Sequence, residues 1–120
     1  MSISVCKVFE FEAAHYLPFH EGRCNNLHGH SYKMEVEIEG EIQKNGMIMD
    51  FGELKNIVNM SIVERFDHQL INTLLVNPTA ENMVENIVLT FKQKLLTTSV
   101  SLRRVRLWET SSSYIEWSKE

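Results

Sequence analysis

The stretch Tyr32-Lys33-Met34-Glu35-Val36-Glu37-Ile38-Glu39 alternates apolar and charged residues without a break, and it constrains the fold more tightly than any other part of the chain. A period of two is that of a β-strand with one buried and one wet face, so the even positions point into a core. Carried backwards, the even set takes in His30 and His28, and both imidazoles should face inward. Side chains two apart on one strand face sit roughly 6.5–7 Å apart at the backbone, which lets two rings converge on one ion at about 2 Å from each nitrogen. Gly29 between them leaves the outer face bare, and Cys24 stands just upstream. The run Cys24-Asn25-Asn26-Leu27-His28-Gly29-His30 therefore reads as a metal site beside a reactive cysteine. A His-x-His pair alone is more often a pair of hydrogen-bonded strand histidines, so a third ligand in matching register is needed.

The first strand supplies one. Over Val5 to Ala14, Phe9, Phe11 and Ala13 take one side and Glu10 and Glu12 the other, and His15 falls at the end of the buried set. An antiparallel hairpin through the turn-rich loop containing Pro18 and Gly22 would bring His15 to His28 and His30. Three neutral imidazoles with a free fourth position form the usual catalytic zinc arrangement, which makes His15, His28 and His30 the predicted ligands. His20 lies in the loop, out of register, and reads as a surface residue.

After the turn at Lys44-Asn45-Gly46, Asp50 and Glu53 form a capping box. A helix should follow, with Leu54, Ile57, Val58, Ile62 and Phe66 as its buried stripe. It ends at Asp67-His68, where neighbours in sequence need not touch, and a capping aspartate beside an exposed histidine is the plainer reading. Asn77-Pro78-Thr79 opens a second helix capped by Thr79, with Met83, Val84, Ile87, Val88, Phe91 and Leu95 buried. Leu102 to Glu109 reads as a third strand with Arg104 and Arg106 outside and Val105 and Leu107 inside. Glu109 continues the inner side, where a carboxylate needs an arginine, a water-exposed place on the rim, or a ligand with a guanidine-like edge. Tyr114 to Trp117 forms the last strand. The order ββααββ predicts an α+β fold: a four-stranded antiparallel sheet with two helices on one face. Its open edges predict pairing with further subunits.

A chain of 120 residues suits one domain, residues 1–120. A net charge of −4 and a pI near 5.7 argue against nucleic-acid binding. No apolar run approaches the ~20 residues of a membrane span and no leader pattern opens the chain, so a cytoplasmic location without membrane attachment is expected. Two cysteines, Cys6 and Cys24, are too few for a disulfide framework.

Taken together, Phe9-x-Phe11-x-Ala13-Ala14-His15, Cys24-x-x-x-His28-Gly29-His30, Asp50-Phe51, Asp67-His68, Asn77-Pro78-Thr79-x-Glu81-Asn82 and Glu109-Thr110 resemble the 6-pyruvoyl-tetrahydropterin synthase family from the first strand to the last. The three-residue gap between Cys24 and His28 is similar to the branch that makes 6-carboxy-tetrahydropterin for queuosine. The resemblance implies the tunnelling fold, in which trimers close a β-barrel and stack into a homohexamer with active sites between subunits. It implies Zn2+ on His15, His28 and His30, Cys24 as catalytic base or acid, Asp67 and His68 as its relay, and Glu109 and Thr79 as substrate-binding residues. The implied activity is a lyase reaction: 7,8-dihydroneopterin triphosphate gives 6-carboxy-5,6,7,8-tetrahydropterin, acetaldehyde and triphosphate. For the triphosphate, Arg23, Lys7 and the Arg103, Arg104, Arg106 group stand as candidates, unless these arginines form a solvated strand face. Two rivals remain: the sister reaction yielding a pyruvoyl product, and a non-enzymatic module in which Cys24 closes a structural zinc site.

Overall fold

In the computed structural model, which describes residues 3–120, strands β1 (Ser4–His15) and β2 (His28–Glu39) pair antiparallel over their whole lengths. The pairing runs from Ser4 opposite Glu39 to His15 opposite His28. The alternating pattern thus understated β2, which starts at His28; the histidines lie on the strand itself. After the helices come β4 (Ser101–Thr110) and β5 (Ser113–Ser118), both in antiparallel pairing.

The sheet has five strands where the sequence predicted four, in the order β3-β1-β2-β4-β5. The added strand, β3 (Gln69–Leu70), runs parallel to β1 and aligns Gln69 with Ala13 and Leu70 with Ala14. Both of its residues are exposed, so no hydrophobic alternation announces it; only backbone bonding makes it a strand.

Helix α1 (Phe51–Val58) begins at Asp50, whose Oδ1 accepts from the Gly52 N–H at 2.7 Å. It passes into a π-helical segment, Asn59–Val63, and a last turn, α2 (Glu64–Phe66). Leu54, Val58, Ile62 and Phe66, spaced by four, are all fully buried. In a regular helix that spacing overshoots a turn by about 40° per step, and the wider π turn lets the stripe stay on the core. Helix α3 (Ala80–Lys94) buries Met83, Val84, Ile87, Val88 and Phe91, and Leu95 just beyond it is buried too. These side chains join Phe9, Phe11, Met34, Val36, Val105 and Leu107 of the sheet in one core.

The opposite face of the sheet is charged and internally paired. Arg104 Nε donates to Glu37 Oε1 at 2.9 Å, Arg106 Nε to Glu116 Oε1 at 2.9 Å, and Arg103 lies 3.3 Å from Glu37. The Trp108 indole N–H, bonded to Glu35 at 2.9 Å, holds that carboxyl below its ordinary range. The arginine group considered for the triphosphate is therefore engaged with glutamates of its own sheet.

Phe66 is fully buried and stacks on Phe11 with ring centroids 6.0 Å apart. Replacing it by alanine is expected to cost about 3–5 kcal/mol, read from the urea midpoint at unchanged slope.

Candidate metal centre and active site

His15 leaves β1 fully buried, and the backbone around it is fixed on the outer side by residues 67–72. Asp67 Oδ1 accepts from the Glu12 N–H at 2.9 Å, and Glu12 O accepts from the His68 N–H. Beyond the two-residue strand β3, the Asn72 side chain accepts from the Tyr16 N–H at 3.0 Å and donates to the Tyr16 carbonyl at 2.9 Å. That segment holds the edge of β1 from Glu12 to Tyr16, the length that carries His15.

Backbone carbonyls set the tautomers of two of the imidazoles. His15 Nδ1 donates to the Pro78 carbonyl at 2.8 Å, and His28 Nδ1 donates to the Asn26 carbonyl at 2.7 Å. In each neutral ring Nε2 is then the bare nitrogen, and the two Nε2 atoms face each other 3.0 Å apart. Glu109 Oε1 lies 3.2 Å from His15 Nε2 and 2.9 Å from His30 Nε2. His30 Nε2 is buried and, despite that proximity, has no aligned hydrogen-bond partner. The four ligand atoms of His15, His28, His30 and Glu109 lie within 4.8 Å of one another. Two bare nitrogens and a carboxylate oxygen pressed together require positive charge between them, from protons or from a metal ion. Ligand atoms about 2.0–2.1 Å from a tetrahedral ion stand about 3.3 Å apart, close to the separations found, so this donor set fits a divalent metal.

The same crowding sets the electrostatics. Glu109 is held below the ordinary carboxylate range, first by its close contact with His15 and then by the neighbouring imidazoles, against the opposing effect of burial. Burial pushes the His30 imidazole below its usual value, and the Glu109 carboxylate pulls it the other way. A neutral His30 is the form that ligates a metal.

The other predicted residues are placed differently. Cys24 is half-buried in a short 3-10 turn, Arg23–Asn25, and its carbonyl accepts from the Leu17 N–H at 2.9 Å. Its thiol is not one of the clustered ligand atoms; the fourth is a Glu109 oxygen. That arrangement differs from the closed site with Cys24 as fourth ligand. Asp67 and His68 touch, with Oδ2 3.0 Å from Nδ1, a contact their adjacency alone did not require, while the histidine is exposed as the plainer sequence reading expected. The Glu12 N–H, and secondarily His68, hold the Asp67 carboxyl below its usual range. His68 has φ +57° and a side chain 79% exposed, so the dyad stands at the sheet edge, outside the cluster. Thr79 caps α3, its Oγ1 accepting from the Asn82 N–H at 3.1 Å. The Pro78 carbonyl and Asn72 were not foreseen; a carbonyl partner leaves no side-chain signature, and Asn72 acts through backbone bonds.

A cleft of about 500 Å³ lined by Gly29, His30, Lys33, Trp108, Glu109 and Thr110 opens onto the cluster. A larger groove of about 730 Å³, between the end of α3 and β5, contains none of these site residues. Among the described residues no helix is long and apolar enough to cross a membrane.

The sequence profile named 6-pyruvoyl tetrahydropterin synthase matches residues 4–120. A protein of Archaeoglobus fulgidus, provisionally named 6-carboxy-5,6,7,8-tetrahydropterin synthase, is 43% identical over 106 residues, 88% of this chain and 87% of the relative. The 6-carboxy-5,6,7,8-tetrahydropterin synthase of Haemophilus influenzae is 35% identical, covering 96% of this chain and 98% of its own. The dihydroneopterin monophosphate aldolase of Pyrococcus furiosus is 40% identical over 88% of this chain and 89% of its own. In fold, the 6-pyruvoyl tetrahydropterin synthase of Caenorhabditis elegans superposes with a TM-score of 0.86 at 24% identity, covering 100% of this chain and 97% of that one.

Two pH effects follow from the cluster. Metal binding displaces protons, so metal affinity should fall at least ~10-fold between pH 7.5 and 5.5 in a chelator competition. In the metal-free protein, Glu109 has a folded-state pKa below its unfolded one. Its contribution to stability is present above the unfolded value near 4.5 and is lost as pH falls through the lower folded value. Glu109→Gln should remove that part of the acid dependence, measured by urea unfolding across pH 3–6.

Proposed function

Since this chain belongs to the 6-pyruvoyl tetrahydropterin synthase family, we propose that it is a zinc enzyme converting 7,8-dihydroneopterin triphosphate to 6-carboxy-5,6,7,8-tetrahydropterin. One water is consumed, the bond between the first and second side-chain carbons breaks, and acetaldehyde and triphosphate are the other products; the reaction serves queuosine biosynthesis in the cytoplasm. The observation that carries the reading is the convergence of bare imidazole nitrogens of His15 and His28 on His30 and Glu109, in a chain so close to relatives bearing that name.

His15, His28 and His30 would hold the zinc, which when bound would supply a Lewis acid to the hydroxyls of the substrate side chain. In this reading Glu109 is not a metal ligand, which leaves the fourth position to substrate; its carboxylate accepts two parallel N–H bonds from the guanidine-like edge of the pterin, and Thr79 contributes at the start of α3. Cys24 takes the proton from the carbon next to the ring. Asp67 and His68 relay protons to and from that thiol. Oxidation of the side chain balances reduction of the ring, so no external redox partner is consumed.

The exposed position of His68 supports an active site completed between subunits. The sheet supports the same arrangement: β1 is flanked by β3 only at Ala13 and Ala14, and β5 ends the sheet with a free edge among the described residues. Such edges suit closure into a barrel of trimers, two of which stack into a hexamer of single-domain chains spanning residues 1–120.

A second reading has its own support in the 40% identity to the monophosphate aldolase. An aldolase breaks one carbon–carbon bond and leaves the phosphate on the departing aldehyde. Anaerobic incubation of zinc-loaded protein with each phosphate ester, with products identified by mass, separates the two. Acetaldehyde and 6-carboxy-tetrahydropterin from the triphosphate support the proposal. A pyruvoyl product without acetaldehyde replaces it with the sister reaction, and turnover of the monophosphate alone replaces it with the aldolase. Cys24→Ala is expected to bind zinc as tightly as the parent and to lose at least ~100-fold in turnover. Loss of the metal with the thiol would instead place Cys24 among the ligands.

A further inference from the structure

We propose that Asn82 is a positioning residue for the metal centre, acting through the Pro78 carbonyl on His15; the inference rests on the metal reading of the histidine cluster. Among the described residues, the shortest bond at Nδ1 of the fully buried His15, and the one that fixes its tautomer, is to Pro78 O, at 2.8 Å. That carbonyl belongs to a three-residue turn, Asn77-Pro78-Thr79, which connects the 3-10 segment Ile71–Thr73 to α3. Asn82 ties the turn down twice. Its side-chain Nδ2 donates to the Asn77 carbonyl at 2.8 Å, and its backbone N–H donates to Thr79 Oγ1 at 3.1 Å. The Thr79 N–H closes onto the same Asn77 carbonyl at 2.9 Å. Asn77 Oδ1 is buried without a hydrogen-bond partner, so the turn is not held by its own asparagine side chain.

The chain of contacts is therefore Asn82 side chain, Asn77 carbonyl, Pro78 carbonyl, His15 Nδ1, and the bare Nε2 aimed at His28 Nε2 and Glu109 Oε1. A partner that fixes the tautomer and direction of a ligating imidazole typically changes metal affinity 10–100-fold when it is lost. Tyr32 does not replace it, because its hydroxyl stands 3.4 Å from His15 Nδ1, farther than the carbonyl.

Asn82→Asp tests the inference. The substitution removes the donor and sets a carboxylate against the Asn77 carbonyl, yet a negative charge in the first turn of α3 favours the helix. Stability and clamp are thereby pulled in opposite directions. Val84→Ala, which trims a buried side chain one turn from the clamp, serves as the opposite control: it destabilises the fold and leaves the turn intact. Zinc competition with a chromophoric chelator should give about 10–100-fold weaker binding for Asn82→Asp and parental binding for Val84→Ala. In the metal-free proteins, imidazole 15N shifts should report the Nδ1–H form of His15 in the parent and in Val84→Ala, and a mixture of tautomers in Asn82→Asp. Parental zinc affinity in Asn82→Asp, an equal loss in Val84→Ala, or an unchanged His15 tautomer in Asn82→Asp overturns the clamp. Should the parent bind no zinc, the metal reading fails, and the tautomer comparison alone decides the role of Asn82.

Discussion

The pairing of His15 with His28 across β1 and β2 is the constraint on which the rest of the molecule depends. A one-residue slip would turn every side chain of a strand to the other face and send the imidazoles to the charged side of the sheet. The twelve paired positions from Ser4 to His15 guard against that slip, since Phe9, Phe11, Tyr32, Met34, Val36 and Ile38 are buried only in this register. The core thus acts as the device that aims the site.

What surrounds the hairpin continues that work from outside it. The segment 67–72 bonds the edge of β1 from Glu12 to Tyr16, and the turn before α3 presents a carbonyl to His15. The helices are anchored by stripes that face the same core, one of them keeping its four-residue spacing through a π turn. The helical layer and the site are therefore coupled: the turn that starts α3 also sets the tautomer of His15. On the other face, arginines and glutamates neutralise one another, which leaves the sheet an uncovered polar surface opposite the imidazoles.

The legibility of this protein in its sequence follows from which interactions have a period. Alternation revealed β1, β2 and β4 and placed His15, His28, His30 and Glu109 on one inner face, because burial of a strand face acts on every second side chain. Helical spacing revealed α1 and α3 for the same reason. The contact of Asp67 with His68 was not legible from side-chain pattern, since neighbours meet only at a particular backbone geometry, here φ +57° at His68 with its N–H bonded to the Glu12 carbonyl.

The sequence by itself determined the fold class, the inward register of three imidazoles and the family to which the chain belongs, all of which rest on side-chain pattern. Only the tertiary structure decided the fifth strand, the π segment, the place of Glu109 among the imidazoles, and the carbonyls of Asn26 and Pro78 that orient His28 and His15. The physical reason is that these features are made by backbone groups, or by side chains meeting across distant parts of the chain. Every residue carries the same carbonyl and N–H, so which of them meet is settled by packing and not by residue type.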